Sequence, residues 1–580
     1  MIWMTRHPAG RPATVRPSSR RENPVQAVIW LLVLGCVLVP VLPLLYASVQ
    51  SKPVYDAGRA FTLSAYSQLF SDPAFWAAAR NTAEFAAITT VCSVALGSGF
   101  AVLCARSDVL GRRGLGPLIA VPVLLPPLGV ILGWNALYGP GGYAHPFITA
   151  ILPIPFNLTS VPGMAVLGTA TAVPVVFLVC QAALAGMDAS LENAGRSVGA
   201  GAGRVLSRVT LPMLRPALIN SGLLVFTLSI ESLGIPLVLG SPQGHDFIAS
   251  YLYGAWSNAV TPDPPSVSAG ATILLAAACG LLWLRSRLIG DEARFVSVGG
   301  RSGSADGTVR LGRRARVLLG GLMALYLAAT TVAPLVALAV ESAVSQLTPL
   351  IAPWHLLTAA NWTAIAHGEY IQSIRNSALI ALVGAAATTV LVALATAVAH
   401  RSRFALRRSL PFLLLFPRAV PGLIVGIGFF WSFLLVNPPG HALLNSVWGL
   451  TLALSVRSMT LAYFVLSAAV AAVSTSLDDA GRSAGAGWWT TITRITLPIL
   501  RPAVFVAFIL MFVSILNDYD PALFLATPGT TVMGVAMLNA EAQGVNGPVA
   551  AMAVVQVAVT VIAIAAGGRL FAARPRRGSA

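Results

Sequence analysis

Five charged side chains fall inside stretches that are otherwise apolar: Glu231, Arg418, Arg457 and the Asp518/Asp520 pair. A charge among hydrocarbon side chains is costly. It persists where it meets a cavity, an opposite charge or freed backbone carbonyls, so these residues could line or gate a polar passage or tie helices together. Glu231 lies in Ser229-Ile230-Glu231-Ser232-Leu233-Gly234, and 286 positions later stands Asn517, beside Asp518. Arg457 could pair with an acid such as Asp518. Arg418, in Phe416-Pro417-Arg418-Ala419-Val420-Pro421-Gly422, sits among prolines that prevent a regular helix, and its guanidinium could satisfy the carbonyls they free. Other chemistry has less support. The only lysine is Lys52, in Val49-Gln50-Ser51-Lys52-Pro53, so there is no phosphate-cradling GxxxxGK[ST] loop and this chain cannot hydrolyse ATP by that route. Cys36, Cys92, Cys104, Cys180 and Cys279 sit singly in apolar stretches without CxxC pairing, and the seven histidines are scattered. No metal site, no cofactor bound by this chain and no clustered catalytic set is expected.

The elements that must position these charges are membrane helices. With 56% hydrophobic residues, 10% charged residues and a mean hydropathy of +0.78, the chain lacks the surface of a water-soluble protein. Apolar runs of about 20 residues recur about twelve times, beginning near Val25, Thr82, Leu115, Val161, Ala217, Ser268, Val317, Ser377, Leu410, Val447, Ala503 and Val549. They are continuous and rich in Ala, Leu and Val, which excludes the alternating strands of a membrane barrel. Leu125-Pro126-Pro127 and Pro421-Gly422 mark bends and close helix packing. The net charge of +17 follows the topology: 31 of the 37 basic residues fall in segments on one side if the N-terminus is inside. That is the positive-inside bias rather than a nucleic-acid footprint, and it places both termini in the cytoplasm. The expected organisation is an arm of residues 1–24, a six-helix half over 25–289, a Gly/Ser/Arg-rich linker over 290–316, a second six-helix half over 317–571 and a tail over 572–580.

The two halves are duplicates. Leu191–Ala217 aligns without gaps to Leu477–Ala503, with 16 of 27 positions identical at the offset of 286. Arg80-Asn81-Thr82 and Arg375-Asn376-Ser377 open the second span of each half. Six spans per half is an even number, so both halves share one orientation, with a pathway between them. The best-matched segment is a loop between the fourth and fifth spans, outside the membrane, and a loop held alike twice suggests that each copy grips the same kind of partner. Leu191, Ala194 and Val198, like Leu477, Ala480 and Ala484, make a small apolar helical face that could sit in another protein's groove. Ser476 with Asp479 has capping-box spacing, Ser190 with Glu192 and Asn193 a weaker version of it. Gly199 and Gly485 permit a break, and Pro212 and Pro498 restrict how the chain enters the fifth span.

Both copies resemble the EAA loop of binding-protein-dependent ABC importer permeases. Asn193-Ala194-Gly195 and Asp479-Ala480-Gly481 stand at the Glu-Ala-Ala positions. Gly199 and Gly485 stand at the Gly, and Val209-Thr210-Leu211-Pro212 and Ile495-Thr496-Leu497-Pro498 at the ending. Asn193 and Asp479 depart from Glu, Gly195 and Gly481 from Ala; Glu192 and Asp478 lie beside the substituted positions. The resemblance implies an all-α permease of about twelve transmembrane helices in two parallel repeats, in the bacterial cytoplasmic membrane. It also implies two cytoplasmic ATP-binding-cassette ATPase subunits docked at the two loops, and an extracytoplasmic substrate-binding protein. Glu231, Asn517, Asp518 and Arg457 are the candidates for the pathway. The fused form and phrases such as Ser232-Leu233-Gly234-Ile235-Pro236 look most like ferric-iron permeases, with thiamine, polyamine or 2-aminoethylphosphonate as alternatives. An ion-gradient-driven secondary transporter would share the repeats and intramembrane acids but not the matched loops.

Overall fold

The computed structural model describes residues 23–151, 157–187, 189–257, 263–289, 309–436 and 439–572. The expected terminal arm, the tail and the linker up to residue 308 lie almost wholly outside them. Among the described residues there is no strand, only isolated backbone bridges such as Gln50 with Phe61 and Val344 with Leu357. In hydrocarbon a backbone must satisfy its own polar groups, and uninterrupted Ala/Leu/Val runs do so as helices. The first half comprises α1 (Asn23–Ser48), α2 (Pro73–Arg106), α3 (Arg112–Leu124), α4 (Pro127–Tyr138), α5 (Val161–Gly186), α6 (Ala189–Ser197), α7 (Ala202–Ile230), α8 (Ile248–Ser257) and α9 (Pro264–Ile289). The second comprises α10 (Arg313–Ala343), α11 (Gly368–Arg401), α12 (Arg407–Ala419), α13 (Gly422–Leu435), α14 (Val447–Ala472), α15 (Ser476–Ser483), α16 (Trp488–Asn517), α17 (Met533–Ala542) and α18 (Asn546–Ala572).

Among the described residues ten helices are long and apolar enough to cross a membrane, and two bent pairs, α3 with α4 and α12 with α13, turn by 104° and 105° at the prolines expected to bend them. Helix directions show that each pair crosses once. Arg106, at the end of α2, bonds the Leu184 carbonyl near the end of α5, while Phe85 lies against Gly168 nearer their starts. The two helices therefore run the same way, and the chain must return across α3 and α4. Likewise Arg401 reaches Val470 while Gly384 lies against Ser455, so α12 and α13 return the chain between α11 and α14. Twelve crossings result, and both repeated loops emerge on one face, called the loop face below.

The first span of each half is exchanged. α1 packs on α13 of the other half as well as on α9 of its own, and α10 packs on α4 of the other half and on α18 of its own. The approach is close enough to exclude a side chain: a Cβ on Gly428 would overlap the Pro40 carbonyl, and one on Gly133 the Pro334 carbonyl. Between the halves the core continues without a break. Trp256 of α8 meets Phe430 at 4.9 Å and Phe524 at 5.7 Å, and the Trp431 indole donates to Ser268 Oγ at 2.9 Å.

The fifth spans begin earlier than the expected Ala217 and Ala503: α7 and α16 run unbroken from the loops into the membrane. Pro212 and Pro498 are accommodated by wider π-helical turns at Leu206–Thr210 and Ile492–Thr496. A proline has no N–H for the carbonyl four residues back and its ring crowds that carbonyl, so one wider turn relieves both. The same turn precedes Pro334 at Ala328–Val332.

Candidate functional site

The repeated loops are two copies of one construction. α6 and α15 each end in a glycine with positive φ, +80° at both Gly199 and Gly485. The Ala200 N–H bonds the Gly195 carbonyl at 3.1 Å and Gly199 that of Arg196 at 2.9 Å; Ala486 to Gly481 and Gly485 to Arg482 repeat this at 3.0 and 2.9 Å. This is a Schellman termination, which favours glycine because a Cβ is strained in that conformation. The expected capping box at Ser476 does not form. Ser476 is the first residue of the helix, with Thr475 at the N-cap position, and its N–H bonds Ser474 Oγ at 3.3 Å.

Around each loop helix the side chains divide into two sets. Leu191, Asn193, Ala194, Val198, Leu477, Asp479, Ala480 and Ala484 are exposed, Val198 at 84%. Gly195 and Gly481 face the helix that follows, close to Val205 and Ile495. Leu211 and Pro212 are exposed and Leu497 and Pro498 half-buried at the start of the fifth span. Glu192 and Asp478 are buried, at 3% and 6% exposure, and point inward. Glu192 Oε1 accepts from Arg106 Nε at 3.0 Å and from Thr210 Oγ1 at 2.9 Å, while Arg106 Nη2 donates to the Leu184 carbonyl at 3.0 Å. In the second half Asp478 accepts from Arg401 Nη1 at 2.7 Å and from Thr496 Oγ1 at 3.3 Å, and Arg401 Nη2 donates to Val470 at 2.7 Å and also to Val473. These two carboxylates bind their own half and do not join the outward-facing set. Arg106 and Arg401 were not nominated by the sequence reading.

The second constellation lies deep in the membrane-spanning region. Arg457 is ten residues into α14, about 15 Å along the helix from its start. Its Nη1 meets Asp518 Oδ1 and Oδ2 at 2.8 and 2.9 Å and Asp520 Oδ2 at 3.2 Å, and Nη2 lies 3.8 Å from Glu231 Oε2. The arginine thus joins two acids of its own half to one from the other. Asp520 and Arg457 back against Gly422 at the start of α13, and Tyr519 packs on Gly234 of the other half. Asn517 stays out of the cluster and accepts from Thr560 Oγ1 of α18 at 3.3 Å. Among the described residues Arg418 makes no hydrogen bond to the carbonyls freed at its bend; it is exposed and acts on Glu231 and Asp520 only through space. No group of three or more His, Cys, Asp or Glu side chains among the described residues is placed to hold a metal ion.

The Asn-Thr/Ser pairs expected to open the second spans lie inside α2 and α11, which start earlier, at Pro73 and Gly368, and they hold the segments that follow the fifth spans. Asn81 donates to the Asp246 carbonyl at 3.0 Å and Thr82 Oγ1 accepts from the Ile248 N–H at 2.9 Å, where α8 begins. Asn376 donates to the Thr531 carbonyl at 3.0 Å and Ser377 Oγ accepts from the Met533 N–H at 2.7 Å, where α17 begins.

A family model described as the binding-protein-dependent transport system inner membrane component matches the chain twice, over residues 95–286 and 389–576. The chain belongs to this family and is a fused, two-half ABC importer permease: a multi-pass transport subunit. It is 26% identical to a protein of Haemophilus influenzae named putative ferric transport system permease protein FbpB 1, over 78% of this chain and 70% of that one. A probable ABC transporter permease protein, y4fN, of Sinorhizobium fredii is 25% identical over 88% of this chain and 89% of its own. The putrescine transport system permease protein PotI of Escherichia coli is 28% identical over 44% of this chain and 87% of its own.

Proposed function

We propose that this chain forms the translocation pathway of an importer for ferric iron in the bacterial inner membrane. Two separate ATP-binding-cassette subunits drive it from the loop face, which is the cytoplasmic face, and an extracytoplasmic binding protein supplies the cargo. The observation that carries the coupling is that two equivalent loop helices on one face each turn a small apolar surface outward while one acid of each, Glu192 or Asp478, is engaged inward. An exposed apolar helical face with fixed backing suits a groove on a partner. ATP is used by those subunits, and this chain contributes no cofactor site. Glu231, Asp518 and Arg457 line the seam between the halves, and Asn517 supports it from behind.

Ferric cargo is supported by the names of the relatives that span most of the chain. The seam is consistent with a cation, since three carboxylates surround one buried arginine there. Polyamine import is the second reading, favoured by the same acid excess and by the likeness to a putrescine permease. The test is a pull-down of the tagged chain from native membranes, with assay of vanadate-sensitive ATPase activity and uptake of radio-iron and radio-putrescine. Recovery of an ATPase, with iron uptake lost on deletion of the chain, is the expected result. A stable lone chain driving uptake by an ion gradient would sink the ABC coupling, and loss of putrescine uptake alone would reassign the cargo.

A further inference from the structure

We infer that Arg106 with Glu192, and Arg401 with Asp478, are positioning struts that make each loop helix move as one body with three spans of its half. The inference rests on the reading that these loops dock ATPase subunits.

Each strut gathers four pieces of chain at one point: the end of the second span through the arginine, the end of the fourth through the Leu184 or Val470 carbonyl, the loop helix through its carboxylate, and the start of the fifth span through Thr210 or Thr496. The construction is the same in both halves although the acid differs, Glu in one and Asp in the other. The arginine also lies outside the segment matched at an offset of 286: Glu192 and Thr210 map to Asp478 and Thr496 at that offset, whereas Arg106 and Arg401 are 295 apart. Duplication of the loop alone therefore does not account for the pair; each half brings the same guanidinium to the same carboxylate from a separately aligned helix. Burial makes the links stiff. Side-chain exposure is 18% and 3% in the first pair and 4% and 9% in the second, so neither is a solvent-exposed contact that breaks and re-forms freely. A guanidinium that holds a carboxylate with one nitrogen and a carbonyl with another also sets orientation, which a point charge would not.

Without the strut, the loop helix keeps its outward face and its glycine termination, because neither involves the arginine. What is lost is transmission: a push on the loop bends the joint instead of moving the second, fourth and fifth spans together. ATP hydrolysis then runs with less cargo moved.

The test uses the full importer complex purified from native membranes and reconstituted in liposomes, with cargo uptake and ATP hydrolysis measured together. R106Q combined with R401Q, and separately E192Q combined with D478N, are expected to lower cargo moved per ATP by about tenfold while the ATPase still co-purifies. Joining all four changes is expected to cost no more than either pair, because each pair already breaks the same link. R106K with R401K keeps the charge opposite each buried acid but loses the fork, so it inserts even if the neutral variants do not, and its ratio is expected to fall about threefold. A wild-type ratio in R106K/R401K, or additive losses in the combined variant, overturns the strut. Failure of any ATPase to co-purify with the unaltered chain instead overturns the docking reading beneath it.

Discussion

Two arginine–carboxylate groups of similar chemistry serve two different depths of this molecule, one at the loop face and one within the membrane-spanning region. At the loop face the buried form of the pairing occurs twice and stays within each half, linking elements that are neighbours along the duplicated plan. At the seam it occurs once, and it crosses between halves: the position equivalent to Arg457 in the first half is Thr171, so a single guanidinium serves acids from both. On the proposed function, symmetry is thus kept where two like partners would bind and given up along the proposed single path. The repeated pairs set a rigid backing, while the single cluster holds together surfaces that have to separate if cargo is to pass.

The largest expected effect is at the seam. Arg457→Met strands three acids in an apolar setting, and removing one partner of a buried ion pair costs about 3–5 kcal/mol. The expected outcome is loss of most folded protein on detergent extraction, read by thermal unfolding; a stability within error of wild type would mean the acids are solvated there and the contrast with the loop face is false. Next comes the loop termination. Gly199→Val with Gly485→Val places a β-branched residue at positive φ, at a cost of about 1–2 kcal/mol in each loop. Nothing else crowds those positions, so the chain should insert while ATP hydrolysis is uncoupled from transport. Normal transport by the double variant would remove the docking role.

A smaller effect sharpens the asymmetry within the seam. Asp518 holds Arg457 with two short bonds, whereas Glu231 is 3.8 Å away. Asp518→Asn should cost about 2 kcal/mol and Glu231→Gln under about 1 kcal/mol, as measured by thermal unfolding. Equal costs would show that the cross-seam contact is as firm as the one within the second half.

The smallest concerns the join between halves at the loop face. Asp108 accepts from the Leu311 N–H at 2.8 Å and lies 3.5 Å from Arg316. The backbone donor first, then the guanidinium, hold its carboxyl below the ordinary value of 3.8. A depressed folded-state value means that the contribution is complete above the ordinary carboxylate range and is lost as pH falls through the folded value. Asp108→Asn should therefore narrow the difference in unfolding temperature between neutral pH and pH about 3, relative to wild type. An unchanged difference would show that this link adds nothing to stability.

Much of this was legible before any coordinates. Span number and order follow from runs of apolar residues, and Pro126 and Pro421 announced the bends that the structure places at 104° and 105°. Gly199 and Gly485 were readable as breaks because glycine is the residue that takes positive φ freely. The capping box misled because Ser476 and Asp479 have the right spacing one residue too late, and helix starts are set by which hydroxyl reaches the free N–H groups. Glu192 and Asp478 seemed to belong to the exposed set because they adjoin it in sequence; one helical step turns them inward, where a guanidinium waits. Arg106 and Arg401 carried a faint signal. Each lies 25 residues after the Asn of the matched Arg-Asn-Thr/Ser triplet in its span, Asn81 or Asn376, so aligning the second spans on those asparagines would have paired them.

By itself the sequence determined the properties that depend on local pattern: that the chain crosses a membrane as helices, that it is built twice, and that two loops of special construction stand outside. A helix in hydrocarbon satisfies its backbone within one segment, so one segment's residues suffice to specify it. Only the tertiary structure decided which charges meet, because Arg457 lies in α14 while Glu231 and Asp518 follow directly on α7 and α16, and their contacts depend on how every span packs. It likewise decided that the first span of each half leans on the other half, since that exchange rests on the fit of the Pro40 and Pro334 carbonyls onto Gly428 and Gly133, which no single segment encodes.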